Sequence, residues 1–219
     1  MIITPNEIIY KLAIAKTFDV SKFGEAIDMV VREYLRPRLG LEFYTALNAD
    51  RINLGLGTPY AVYNPATAYS SGDEVVYNNV PYVCIATPPA AGSNPQQILY
   101  WSYTAPFTTA KYAALWDYSL FAFTSYAVLL EALPFVYNSV QASGVLRNTD
   151  EFGSSVSGSE FAEVKKKTAE NVEKTWRQTD DFLRLVNDGL SIDNPALYPL
   201  YSGNCTEEKK GNPKFGIIF

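Results

Sequence analysis

Apolar positions change their spacing along this chain, and each change marks an element. Thr4-Pro5-Asn6-Glu7 places threonine at an N-cap, proline at the first helical position and glutamate at the third, a capping-box signature. Ile8, Ile9, Leu12 and Ala13 behind it predict a short amphipathic helix to about Lys16. After Asp19 or Ser21, the residues Phe23, Ile27, Val30, Val31, Tyr34 and Leu35 recur at helical spacing. Pro37 is expected to interrupt that helix, and Pro37 to Leu47 reads as a third short helix set at an angle. Between Leu54 and Pro106 helical spacing stops. Val75 and Tyr77 alternate before Asn78-Asn79, and Tyr82, Cys84 and Ala86 alternate after it. That is a hairpin pattern, with turn residues that tolerate positive backbone dihedrals.

From Pro106 to Gly144 nearly every side of the predicted helix is apolar, with Lys111, Asp117 and Glu131 its only charges. Such a helix is buried by neighbours or by lipid. A span needs about 20 predominantly apolar residues, and Asp117 with the scattered Ser, Thr and Tyr leaves no clean window. The reading is a central core helix wrapped by shorter ones. Thr108 or Thr109 caps its start, Gly144 stops it, and Pro134 is expected to kink its last third. Val145 to Ser159 is polar and rich in Gly and Ser, a loop or an irregular edge strand. Glu160 to about Asn187 then gives an amphipathic helix with Phe161, Val164, Thr168, Val172, Trp176, Thr179, Phe182, Leu183 and Val186 in one stripe. Its other face pairs Glu163/Lys167, Glu170/Lys174 and Glu173/Arg177 at i,i+4, so Lys165-Lys166-Lys167 reads as a solvated, paired face. After Asp188-Gly189 the chain is rich in Pro and Gly yet ends on Phe215, Ile217, Ile218 and Phe219. Those apolar residues either tuck onto their own domain or clip into a partner.

The expected architecture is therefore mainly α. Residues 1–57 and 106–190 form a helical bundle, 58–105 a small all-β inserted domain, and 191–219 an extended C-terminal tail. Composition alters this picture at a few points. At 219 residues the chain suits one main domain with an insertion, and 47% apolar with 19% charged residues is ordinary for a globular protein. A net charge of -5 argues against a general nucleic-acid binder. The opening MIITPNEIIY lacks the basic start and apolar run of a signal peptide, and Cys84 and Cys205 are expected as reduced thiols, pointing to assembly inside the cell. There is no histidine, which removes Ser-His-Asp and Cys-His schemes and the usual zinc sites. A glycosidase would need two carboxyls ~5–10 Å apart across a cleft, whereas Glu160/Glu163 and Asp180/Asp181 each lie locally on one helix. No catalytic, cofactor-binding or metal-binding residue is assigned, and no cofactor is expected.

The helical part resembles the head–tail connector (adaptor) proteins of tailed bacteriophages. The resemblance rests on Tyr34-Leu35-Arg36-Pro37-Arg38-Leu39-Gly40, on Phe43-Tyr44-Thr45-Ala46-Leu47, on Ala132-Leu133-Pro134-Phe135 with Ser139 to Val145, and on the helix from Phe161 to Val186. It implies a virion subunit assembled in the host cytoplasm, a ring of about twelve copies built by self-association. Its partners would be the portal protein and neighbouring tail or ring proteins, with DNA passing through non-specifically. Phe215, Ile217, Ile218 and Phe219 are the candidate docking residues. The insertion resembles the small chitin-binding type of carbohydrate module through Tyr69, Gly72-Asp73, Val75, Tyr77, Tyr82, Pro95 and Trp101. It departs from that type at Thr87-Pro88-Pro89-Ala90-Ala91, where a tryptophan-rich stretch usually stands. Tyr69, Tyr77, Tyr82 and Trp101 are the candidate contacts for a sugar or a protein, and a sugar-binding accessory protein is the alternative function.

Overall fold

The computed structural model describes residues 1–13, 21–54, 60–87, 93–143, 158–188 and 198–201. Helix α1 (Pro5–Leu12) begins with the expected capping box: the Thr4 hydroxyl accepts from the Glu7 N–H, and the Glu7 carboxylate accepts from the Thr4 N–H at 2.8 Å. It ends before Lys16. Ala13 turns left-handed (φ 50°) and its N–H bonds back to the Ile9 and Tyr10 carbonyls, which closes the helix.

Pro37 does not interrupt the second helix. α2 (Ser21–Val30) runs through a π turn at Val31–Leu35 into α3 (Arg36–Leu39). The Arg36 N–H reaches the Val31 carbonyl five residues back. A widened turn before proline absorbs the bond that proline cannot donate, so the chain continues. The break falls instead at Gly40, whose φ of 82° and ψ of 148° suit glycine. Helix α4 (Leu41–Asp50) starts there.

Between α4 and α5 in sequence lies a sheet of four strands in the order β1-β2-β3-β4. β1 (Ala61–Val62) pairs parallel with β2 (Glu74–Tyr77), while β3 (Val80–Cys84) is antiparallel to both β2 and β4 (Trp101–Tyr103). Asn78 and Asn79 make the expected hairpin turn with φ of 52° and 57°. Val75, Val80, Tyr82, Cys84 and Trp101 fill a core on one side of this sheet. Cys84 is a free, buried thiol; Cys205 lies outside the described residues.

Helices α5 (Ala110–Leu115) and α6 (Phe121–Ser143) are one helix joined by a second π turn at Trp116–Leu120, and it runs on through Pro134. α1, α2 and α7 (Gly158–Asp188) pack along it. Trp116, Phe121, Phe123, Ala127 and Val128 are buried in that packing. Ala110–Phe135 is long and apolar enough to cross a membrane, and here more than half of its most apolar stretch is buried. Threonines in the buried stripe of α7 satisfy themselves locally: Thr168, Thr175 and Thr179 each donate to the carbonyl four residues back, at 2.8, 2.7 and 2.9 Å. Ser119 meets Thr179 across the helix pair at 2.8 Å. On the outer face Glu163 bridges Lys167 at 2.8 Å, whereas Glu173 reaches across to Arg38 at 2.5 Å.

Past α7, residues 198–201 return to the helical core. Tyr198 is buried, its hydroxyl donates to the Lys111 carbonyl at 2.6 Å, and the Asn187 side chain bonds both its N–H and its carbonyl. The protein is thus mainly helical with one small mixed sheet.

Candidate functional site at the joint between sheet and helices

The most concentrated polar chemistry lies where the sheet meets the helices. The capping box leaves the Glu7 carboxylate facing inward, fully buried. Arg51, just past α4, has a side chain only 4% exposed, and its Nη2 lies 2.6 Å from Glu7 Oε2. Tyr103, closing β4, donates its hydroxyl to Glu7 Oε1 at 3.3 Å. The Trp116 indole N–H, in the second π turn, donates to the Tyr103 oxygen at 2.9 Å. The Arg51 guanidinium also lies over the rings of Phe107 and Trp116, at 5.8 and 5.4 Å.

Burial holds the Tyr103 phenol well above its ordinary range, and the Glu7 negative charge adds to that. The phenol therefore stays protonated and serves as a donor to Glu7. Each Glu7 oxygen already has donors, from Thr4, Arg51 and Tyr103. Two of the three donors converge on Oε2 and one on Oε1, so the carboxylate is held from three directions inside the core. What it does is join α1, the end of α4, the end of β4 and the central helix at one point. The same seam carries Asp50, which sets the start of the central helix. The Thr109 N–H donates to Asp50 Oδ2 at 2.9 Å, and the Thr109 hydroxyl goes to Asp50 Oδ1. Thr109 occupies the N-cap position, but its own side chain does not cap, contrary to the expectation from sequence. A carboxylate from another helix instead holds the N–H and hydroxyl of the cap residue itself.

The residues singled out from sequence fall as follows. Tyr82 and Trp101 are buried, at 4% and 2% exposure, and the Trp101 N–H donates to the Ser93 carbonyl at 3.1 Å. Tyr69 packs edge-on against Trp101 at 5.1 Å and stacks on Tyr63 at 5.6 Å. Tyr77 is half-buried and meets Tyr63 edge-on. The four are brought together as the packing of the small sheet, with Tyr63 as a partner that the sequence did not single out. Phe215, Ile217, Ile218 and Phe219 lie outside the described residues, as do Gly144 and most of the stretch from Val145 to Ser159. Of the carboxylate pairs, Glu163 bridges Lys167, and Asp180 holds Arg184 at 2.9 Å and takes the Tyr201 hydroxyl.

The Glu7–Arg51 pair escaped sequence reasoning, although a signal existed. Arg51 is the only cation between Arg38 and Lys111. A lone cation beside an apolar, charge-poor stretch needs a partner if it is covered, and Glu7 is an acid already fixed by its cap.

These features define a mainly helical protein with a sheet locked onto it between its fourth and fifth helices. A model described as a family of unknown function, DUF6712, matches residues 94–210, more than half of the chain, and the chain belongs to that family. The match takes in β4, α5, α6 and α7 and leaves α1–α4 and the β2–β3 hairpin outside. No curated protein and no solved structure matches the chain.

Proposed function

We propose that this chain is a structural, non-catalytic subunit of a phage virion, a helical bundle with an extended C-terminal tail that forms a ring at the head–tail junction. The observation that carries the reading is the placement of large apolar side chains left exposed on both parts of a stiffly joined molecule. On the sheet part, Ile98 and Leu99 are 82% and 74% exposed, beside Ile85, whose N–H bonds the Tyr100 carbonyl. On the helical part, Tyr118 stacks on Phe182 yet remains exposed, and Leu185 follows one turn later. Two unlike surfaces on one rigid body suit a heterologous contact, and such contacts close into rings when the rotation permits. The resemblance to connector proteins supplies the ring position, a size of about twelve copies and the portal as neighbour. The apolar Phe215, Ile217, Ile218 and Phe219 are the segment that clips into the portal or an adjacent ring. A net charge of -5 suits a channel in which DNA passes without being gripped.

Mass photometry and negative-stain imaging test this, with the purified chain alone and with portal rings. A closed ring in either sample is the expected result. A monomer at every concentration that also fails to bind portal rings would overturn it. Ile98→Glu with Leu99→Glu should abolish ring formation while leaving the melting temperature unchanged.

A further inference from the structure

The small sheet has one face packed and one face open. Residues directly opposite each other on neighbouring strands share a face. Val75, Val80, Tyr82, Cys84 and Trp101 fill the packed side. Val62 stands opposite Val76, Glu74 opposite Val83, and Val83 opposite Ser102, which puts these residues and Ile85 on the other side. Ile52, Leu54 and Tyr60 cover that side at Val76. Elsewhere it is open: Val62 is 73% and Ile85 51% exposed, and Glu74 and Ser102 are exposed. Ile98 and Leu99 extend it, since the Ile85 N–H bonds the Tyr100 carbonyl at 2.8 Å. A contiguous apolar patch with polar residues at its edge marks a contact surface.

Charge narrows the choice of occupant. From Ile52 to Ala110 the only charged residues are Asp73 and Glu74. Asp73 is engaged, its carboxylate accepting from the Ser70 N–H at 2.7 Å. Among the described residues no cation pairs with Glu74, so a counter-charge has to come from another surface. Among the described side chains, the cations with neither an acid nor an aromatic ring as partner are Lys165, Lys166, Lys174 and Arg177, all on α7. Lys174 shares a flank of α7 with Gln178, Asp181 and Leu185, at i, i+4, i+7 and i+11. Around Lys174, Arg177 balances Glu170, and Glu173 is held by Arg38. At the far end Leu185 is exposed, one turn beyond the Tyr118–Phe182 stack. That flank therefore offers a free cation at one end and apolar side chains at the other.

The two surfaces also match in span. Lys174 and Leu185 are eleven residues apart, about 16 Å at 1.5 Å per residue. From Glu74 on β2 to Leu99 just before β4 is two strand spacings across and three residues along, roughly 14 Å. Asp181 lies seven residues from Lys174, about 10 Å, and so a Debye length from a Glu74 that meets Lys174. A helix laid on a sheet face is one of the stable layer arrangements of proteins. We infer, on the reading of this chain as a ring subunit, that the open sheet face of one copy docks on the Lys174–Leu185 flank of α7 in the next. Glu74 meets Lys174, and Ile85, Ile98 and Leu99 meet Leu185 and Tyr118. The contact joins unlike surfaces, so each copy uses one surface towards either neighbour.

Charge exchange on the full chain tests it, with assembly read by mass photometry in the absence and presence of portal rings. Glu74→Lys and Lys174→Glu should each weaken self-association by about tenfold or more, because like charges then face each other in the contact. The double variant Glu74→Lys/Lys174→Glu should restore assembly to near the unaltered level, which misfolding of either single variant would not allow. Mixing gives the orientation. Ile98→Glu/Leu99→Glu blocks the sheet face and Leu185→Glu the helix flank; each alone should stay monomeric, and the mixture should give one-to-one dimers and nothing larger. The docking is overturned, with the ring itself intact, if rings form but both single charge variants assemble normally or the double variant is not restored. It is equally overturned if the mixture stays monomeric or builds assemblies beyond the dimer. A chain that never self-associates, with portal rings or without, overturns both the docking and the ring.

Discussion

Arg51→Met isolates what the joint contributes. Methionine keeps much of the arginine's length and apolar volume and removes its charge. Glu7 then remains fully buried as a carboxylate with the Thr4 N–H and the Tyr103 hydroxyl as donors but no cation. Breaking a buried pair from one side costs about 3–5 kcal/mol, because the uncompensated charge stays behind. For a chain of this size that corresponds to a fall of roughly 6–20 °C in melting temperature, at about 2–4 °C per kcal/mol. Glu7→Gln is the matching change from the other side, since glutamine can still accept from Thr4 and leaves Arg51 unneutralised. The double variant Glu7→Gln/Arg51→Met removes both charges at once. It should recover most of the loss, because a buried pair replaced as a unit is often close to neutral. Urea unfolding of all four proteins, followed by far-ultraviolet circular dichroism and by tryptophan fluorescence, gives the cycle. An Arg51→Met cost below about 1 kcal/mol, or a double variant equal to the sum of the singles, would refute the reasoning.

Other consequences follow from the same contacts. Asp50→Ala should cost about 1–3 kcal/mol in a thermal melt by removing the carboxylate that accepts from the Thr109 N–H and hydroxyl; Thr109→Ala should cost less, since it removes only the hydroxyl's bond. Burial pushes Tyr60, Tyr82 and Tyr198 up to about 12, and Tyr103 is also raised, against about 10 for an unfolded tyrosine. Above pH 10 the unfolded chain releases those protons first, so the stabilisation present below pH 10 is lost as pH rises towards 12; a urea midpoint that holds steady between about pH 8 and 11 would contradict this. Replacing residues 58–105 by a short linker should preserve the helical dichroism but lower the melting temperature, because Tyr103 leaves with the sheet; a linker replacing 61–101 should lower it less. Loss of the helical signal in both would show that the sheet is not separable.

Local signals were legible in the sequence and distant ones were not. The Thr4–Glu7 cap and the Asn78-Asn79 turn could be read because every group involved lies within a few residues. The acceptor for the start of the central helix could not, since Asp50 lies 59 positions from Thr109. The effect of Pro37 was misread because proline's local penalty says nothing of a widened turn upstream. Trp101, Tyr82, Tyr77 and Tyr69 are contact candidates by their chemistry, and packing draws on the same side chains. A sheet this small has few residues with which to fill its interior, and large aromatics do that most economically. The polar threonines within the α7 stripe fit the core because a helix supplies each hydroxyl with a carbonyl one turn back.

The family match and the fold do not share a boundary, and that mismatch makes its own prediction. Residues 94–210 contain Tyr103 and Trp116 but neither Glu7 nor Arg51, so the matched region carries the aromatic half of the joint without the ion pair. It also lacks α2, whose Phe23, Ala26, Ile27 and Val30 are buried in the core that α6 shares. A protein consisting of residues 94–210 alone would expose that face of the central helix to water. At about 25 cal/mol per Å², uncovering several large side chains costs more than a small domain has to spare. Expressed alone, the fragment should therefore self-associate or melt without cooperativity. Adding residues 1–54 as a separate polypeptide should restore a cooperative transition, because those residues carry both the missing helices and the missing ion pair. A monomeric 94–210 fragment with a sharp melt would show instead that α1 to α4 decorate a core that stands without them.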